Sequence, residues 1–168
     1  MRPPAKLLLD VVIRPTLAGM GARYHNAEAE TMLVAIAHQE SGIRYRRQLG
    51  ADGKPMEHLA RGLWQFEKNG GVKGVLTHST TKTAADAAAK ALLYAPDPAV
   101  IHTAIADNDI LACVWARLLL WTLPQPLPRA GQEDEAWHQY IAAWRPGKPH
   151  RDRWVQSYKL ACDTVSAA

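Results

Sequence analysis

Residues 26–42 read NAEAETMLVAIAHQESG, and this stretch decides the fold. Asn26 is a residue of N-cap type, and Glu28 and Glu30 follow in the first turn, where the helix dipole favours negative charge. The helix then runs through Met32, Leu33, Ile36 and Ala37 to Glu40, and Ser41-Gly42 stops it. At helical spacing Leu33, Ile36, Ala37 and Glu40 share one face. The apolar stripe expected to meet the core therefore ends in a carboxyl.

Such a stripe needs partners, and the chain supplies more helices separated by short Gly/Pro breaks. Upstream, residues 6–20 are amphipathic and tolerate Pro15 only as a kink or break, with Gly19 and Gly21 ending the helix. Downstream, residues 42–60 are polar, and Ala51-Asp52-Gly53-Lys54-Pro55 is a turn signal. A short helix is expected over residues 63–68, before Asn69-Gly70-Gly71. Further helices fit residues 80–95, 99–106, 109–122, 133–144 and 151–165. Residues 109–122 are apolar on nearly all sides and read as the central buried helix, with Trp115 and Trp121 in the core. There is neither strand alternation nor a solenoid repeat. The expectation is a single all-α domain over residues 1–168.

Composition agrees with that class. Of the 168 residues, 48% are apolar and 21% charged, which excludes a disordered or collagen-like chain. Six Trp and five Tyr stand against one Phe, a bias toward rings that pair an apolar face with a polar handle. The net charge of +4, from 20 Lys and Arg against 16 Asp and Glu, favours polyanions without choosing among nucleic acid, anionic lipid and cell wall. Cys113 and Cys162 lack any C-x-x-C spacing, and His38-Gln39-Glu40 lacks the H-E-x-x-H spacing of a zinc protease, so neither metal nor cofactor is expected. Leu7-Leu8-Leu9 is cut short by Asp10, leaving no signal-peptide core, and no segment is long enough to span a membrane.

Glu40 is the leading candidate for chemistry. Partial burial and the negative end of its helix both favour the neutral acid, the form a glycosidase uses to protonate a leaving group. The bland alternative, an i,i+4 pair with Arg44, is weakened because Gly42 ends the helix first.

Its neighbourhood sharpens the reading. Glu40-Ser41 is followed by Gly62-Leu63-Trp64-Gln65-Phe66 and, much later, by Tyr140-Ile141-Ala142-Ala143-Trp144-Arg145. In these residues, over roughly residues 30 to 147, the chain resembles phage-encoded, lysozyme-like lytic transglycosylases of the soluble type. That family carries Glu-Ser, then Gly-Leu-Met-Gln, then Ala-Tyr-Asn. Here Trp64 replaces Met, and Ala143-Trp144-Arg145 replaces the third motif, with Tyr140 the nearest tyrosine.

The resemblance implies a lysozyme-like fold that binds bacterial peptidoglycan and cleaves the MurNAc–GlcNAc bond, leaving a 1,6-anhydro ring. Glu40 is then the one catalytic acid and base, and Ser41, Gly62, Gln65, Tyr140 and Trp144 are the substrate-binding candidates. Gly62 would let the backbone approach Glu40 or a sugar, and Gln65 would meet an N-acetyl group. Tyr140 would bond Glu40 or the substrate, and Trp144 would offer a stacking platform.

The expected partner is peptidoglycan, bound by a monomer without nucleic acid. The protein would be made in the host cytoplasm without a signal peptide and reach the wall through a holin lesion or within a virion. A hydrolytic lysozyme would instead need a second carboxylate, for which Asp52, Glu57 and Glu67 are candidates. Arg44, Arg46 and Arg47, and the segment bearing Arg145, Lys148, Arg151 and Arg153, read equally as solvated charge or as a surface for an anionic polymer. With Trp144 and Trp154 beside it, the second group also admits a nucleic-acid-binding module. A structural virion protein without activity is a further alternative.

Overall fold

The computed structural model describes all residues except 1–3, 48–49, 55, 57–58 and 168. It is all-α: the described residues hold no strand, only isolated bridges pairing Arg61 with Arg47 and with Phe66. Helices Pro4–Leu8 (α1) and Arg14–Met20 (α2) are joined by a π-helical stretch, Leu9–Ile13, without leaving helical dihedrals. Of the two outcomes expected at Pro15, the helix does not break; it is distorted locally by the π-helical stretch that precedes the proline. Its ring would crowd the carbonyl one turn back in a regular α-helix, and the wider π turn ahead of it relieves that contact.

The decisive helix is Ala27–Ser41 (α3). The Asn26 side chain accepts from the Ala29 N–H at 2.8 Å, and Gly42 caps the other end at φ +62°. The helix is not merely striped: Ala29 through Ala37 are buried on every side. The reason is tertiary, since α3 packs most extensively on the last helix, Arg151–Ser166 (α9), and also meets Asp109–Trp121 (α7) and the N-terminal helices. Glu30 is buried at the N-terminal side and is satisfied by Arg14 at 2.9 Å and His25 at 2.8 Å. Burial alone would raise its pKa, but these two partners outweigh burial and hold it below the usual value.

The remaining helices are Lys73–Thr77 (α4), Lys82–Ala91 (α5), Pro98–Ile105 (α6) and Glu133–Trp144 (α8). The boundaries read from caps and prolines hold closely for α6 to α9. The helix expected over residues 80–95 is shorter, because Leu93 adopts φ +65° ahead of Pro96. Trp115 lies in the core as expected, whereas Trp121 is only partly buried, its ring tilted at 54° against Tyr24 with 4.8 Å between centroids. Among the described residues no single helix is long and apolar enough to cross a membrane.

The expected helix over residues 63–68 is absent. The chain instead makes a tight loop closed by reciprocal hydrogen bonds between Arg61 and Phe66, at 3.0 and 2.7 Å. Gly62 at φ +77° and Gln65 at φ +51° are left-handed, which no helix accommodates. Helical structure resumes at Lys68 with a π-helical stretch to Val72 that leads into α4, and the sequence reading missed both. Arg46 on Asp109 and Arg47 on Asp107 tie the preceding loop to the start of α7, so these two arginines serve as braces.

Candidate active site

A cleft of about 980 Å³ opens between the end of α3, the 61–66 loop, the glycine-rich 69–74 segment and the end of α8. Glu40, Gln65, Phe66, Glu67, Trp144 and Lys148 are among its lining residues. Two of the non-glycine residues with left-handed backbone, Gln65 and Arg145, sit on it. Such conformations are held in place by surrounding structure and concentrate at functional sites.

Glu40 stands where α3 emerges from the core. The Tyr140 hydroxyl, from α8, donates to its Oε1 at 2.6 Å. Burial pushes the Glu40 carboxyl up to about 7, and the nearby Glu67 charge pushes the same way. The Tyr140 hydrogen bond and the Arg153 charge oppose the rise without cancelling it. A carboxyl with that pKa holds a proton near neutrality and releases it readily, which suits general acid chemistry followed by base chemistry. Tyr140 is itself driven well above the usual tyrosine range by burial and by the Glu40 charge, so it remains a donor.

The tyrosine is fixed from behind. Trp154 of α9 lies parallel to it, with 4.9 Å between ring centroids and 8° between planes. The same helix grips the residues before Glu40: Ser157 Oγ donates to Gln39 Oε1 at 3.0 Å, and the Arg153 guanidinium donates to the Gln39 carbonyl at 3.2 Å. His38 meets Ser157 Oγ at 2.9 Å, and its pKa is lowered by burial and by Arg153. In the sequence reading Ser157 had no role, and Trp154 entered only beside the basic segment of the nucleic-acid-binding alternative. Only the long-range packing of α9 on α3 exposes them.

The candidate residues separate into two groups. Glu40, Gln65 and Trp144 line the cleft, and Tyr140 reaches it through Glu40. The Gln65 amide donates to the Gly62 carbonyl at 2.8 Å, leaving its carbonyl oxygen as the group available in the cleft. Trp144 donates from Nε1 to the Trp64 carbonyl at 2.8 Å and tilts against Phe66, which orients its ring at the wall.

Ser41 and Gly62, expected as substrate-binding residues, are not among the residues that line the cleft. The buried Ser41 hydroxyl lies 3.0 Å from the Ala37 carbonyl and 2.7 Å from that of Leu63, stitching the end of α3 to the loop. Gly62 is tight against Ile105, not Glu40 or the cleft: a Cβ there would stand 2.6 Å from Ile105 Cγ2 and 3.0 Å from its carbonyl oxygen. Trp64 is core, its Nε1 donating to the Leu33 carbonyl at 2.9 Å.

Among the possible second carboxylates, Asp52 is exposed in the loop, Glu57 lies outside the described residues, and Glu67 lines the same cleft as Glu40. Arg145 and Lys148 line the cleft too, whereas Arg151 is engaged by Glu133 and Asp134. Both cysteines are free, and no group of His, Cys, Asp and Glu suited to a metal occurs among the described residues. No protein-family model, characterised protein or solved structure matches the chain.

Proposed function

We propose that the protein is a peptidoglycan lytic transglycosylase with a lysozyme-like fold, acting on the MurNAc–GlcNAc bond with Glu40 as sole acid and base. One observation carries the reading. A partly buried carboxyl, raised to about 7, is presented to a long cleft by the end of a buried helix and held by a tyrosine hydroxyl.

Protonated Glu40 gives its proton to the glycosidic oxygen as the C1–O bond breaks, and the leaving sugar departs as an alcohol. The resulting carboxylate, stabilised by the Tyr140 hydrogen bond, accepts the proton of the same MurNAc residue's C6 hydroxyl. That oxygen closes on C1, giving the 1,6-anhydro ring and restoring the acid without consuming water. The Gln65 carbonyl oxygen fits an amide N–H of an N-acetyl group, and the Trp144 ring offers a sugar a flat apolar face. Arg145 and Lys148 complement the carboxylates of stem peptides. Delivery from the host cytoplasm by a holin lesion or a virion belongs to the same proposal.

Glu40→Gln tests it. The variant should fold, and its clearing of cell-wall suspensions should fall by about 10²- to 10⁴-fold, the usual worth of a general acid. Wild-type activity should decline as pH rises through about 7, where Glu40 loses its proton. Retained lysis by the variant would remove Glu40 from the chemistry.

A second reading has one specific support: Glu67 shares the cleft and its charge acts on Glu40, so a hydrolytic lysozyme with two carboxylates is the alternative. Mass spectrometry of digested wall separates the two. Anhydro ends support the transglycosylase, and reducing ends support the hydrolase.

A further inference from the structure

A second cavity, of about 650 Å³, lies between α2, α5 and the first turns of α7, lined by none of the residues that form the Glu40 cleft. Ala84, Ala87, Ala88 and Ala91 of α5 line it with Gly19 and Met20 of α2, joined by the buried Val114 and the half-exposed Ile110 of α7. That volume matches a single small ligand. Thr16 also lines it: the residue is 7% exposed, and the weakly bonding Cys113 thiol is the partner of its hydroxyl.

The cavity's electrostatics are one-sided. Arg23 is the one charged lining residue; its guanidinium donates to the Tyr24 hydroxyl at 2.7 Å and lies over the Tyr24 ring at 4.8 Å. Behind that ring stands Arg117, 3% exposed, which donates from Nε to the Tyr24 carbonyl at 2.8 Å and lies over Trp121 at 4.8 Å. Among the described residues neither arginine has a carboxylate partner; of the two, Arg117 is buried and Arg23 is exposed. A buried guanidinium without a counter-ion is costly, and burial lowers its pKa to about 10. The Tyr24 and Trp121 faces compensate Arg117 in part, and the exposed Arg23 is the cation that an anion in the cavity would meet.

We propose that this cavity binds a small amphipathic anion, an aliphatic carboxylate whose chain lies along the alanine wall of α5 and whose head group meets Arg23. The alanines keep the wall low enough to admit a methylene chain. The absence of any acidic residue from the lining sets the sign of the head group. The site is independent of the Glu40 chemistry.

Decanoate, below its micelle-forming range, is the probe, and decanol is the uncharged comparator. Titration calorimetry should give saturable one-to-one binding of decanoate, and amide NMR shifts should map to α2, α5 and the start of α7. Arg23→Gln should weaken decanoate at least fivefold and leave decanol unchanged. Ala88→Leu and the more exposed Ala87→Phe should each weaken both ligands at least tenfold while circular dichroism and thermal unfolding stay native. Two filling variants keep the test valid if one of them misfolds. Absence of saturable binding to the wild type would overturn the proposal, as would binding unaffected by the filling variants or shifts confined to the Glu40 cleft. Equal loss of decanoate and decanol in Arg23→Gln would refute the anionic head group. Glu40→Gln should bind decanoate as the wild type does, whatever becomes of its activity.

Discussion

Glu40 shows how much one residue can inherit from its place in a helix. The residue type and its position at the end of an apolar run were legible in the sequence, and so was the direction of its pKa. Its partner was legible as one of two options: the resemblance gave Tyr140 a bond to Glu40 or to the substrate, and the structure sets its hydroxyl on the carboxyl. Two predictions belong here. Because the folded pKa lies above the unfolded value near 4.5, Glu40 favours the folded state most below about 4.5, and that contribution disappears as pH rises through about 7. Glu40→Gln, which never ionises, should therefore match wild-type stability at pH 4 and exceed it by about 3 kcal/mol at pH 8. Denaturant unfolding across that range checks the sign. Tyr140→Phe removes the one donor on the carboxylate, so the Glu40 pKa should rise further. A ¹³C NMR titration of the side-chain carboxyl would record it, with a hydrogen-bond loss of about 1.5–3 kcal/mol setting the scale.

At the scale of elements, helix ends were read well and the loop between helices was read poorly. Asn26, Gly42, Asp97 and Asn108 act as caps because their chemistry is local: a side chain or a left-handed glycine satisfies groups a few residues away. Residues 61–66 carry apolar residues at a spacing compatible with a helix. What they form is a closed loop, because Gly62 must lie flat on Ile105 and Ser41 must reach the Leu63 carbonyl. Neither demand has a local signature. Gly62→Ala meets both a left-handed backbone and a Cβ inside contact distance of Ile105. It should cost about 3 kcal/mol by thermal or denaturant unfolding, whereas alanine at the unobstructed Gly74 within α4 should stabilise by about 0.5–1 kcal/mol.

At the scale of the whole molecule, the last helix supports the site. Helix α9 lies far from α3 in sequence, yet Arg153, Trp154 and Ser157 hold Gln39 and Tyr140 on either side of Glu40. The charged and titratable groups acting on the carboxyl are then Tyr140 from α8, Arg153 from α9 and Glu67 beyond the loop, and of these only Arg153 is cationic. Arg153→Met should move the Glu40 titration, and with it the alkaline limb of any activity profile, to higher pH. A merely structural role for Arg153 would lower stability and leave that titration in place.

The sequence by itself determined what depends on neighbours along the chain: the helical class, most helix boundaries, the position of Glu40 at a helix end and the candidate set around it. Its apolar and capping patterns act over three or four residues, so they are readable in a single chain. Tertiary structure alone decided which candidates meet. It buried α3 on all sides, turned Ser41 and Gly62 into structural joints, set Tyr140 on Glu40 and left a cavity beside two arginines with no carboxylate partner among the described residues. Those outcomes depend on contacts between residues dozens of positions apart, and no local pattern encodes which long-range surfaces come together.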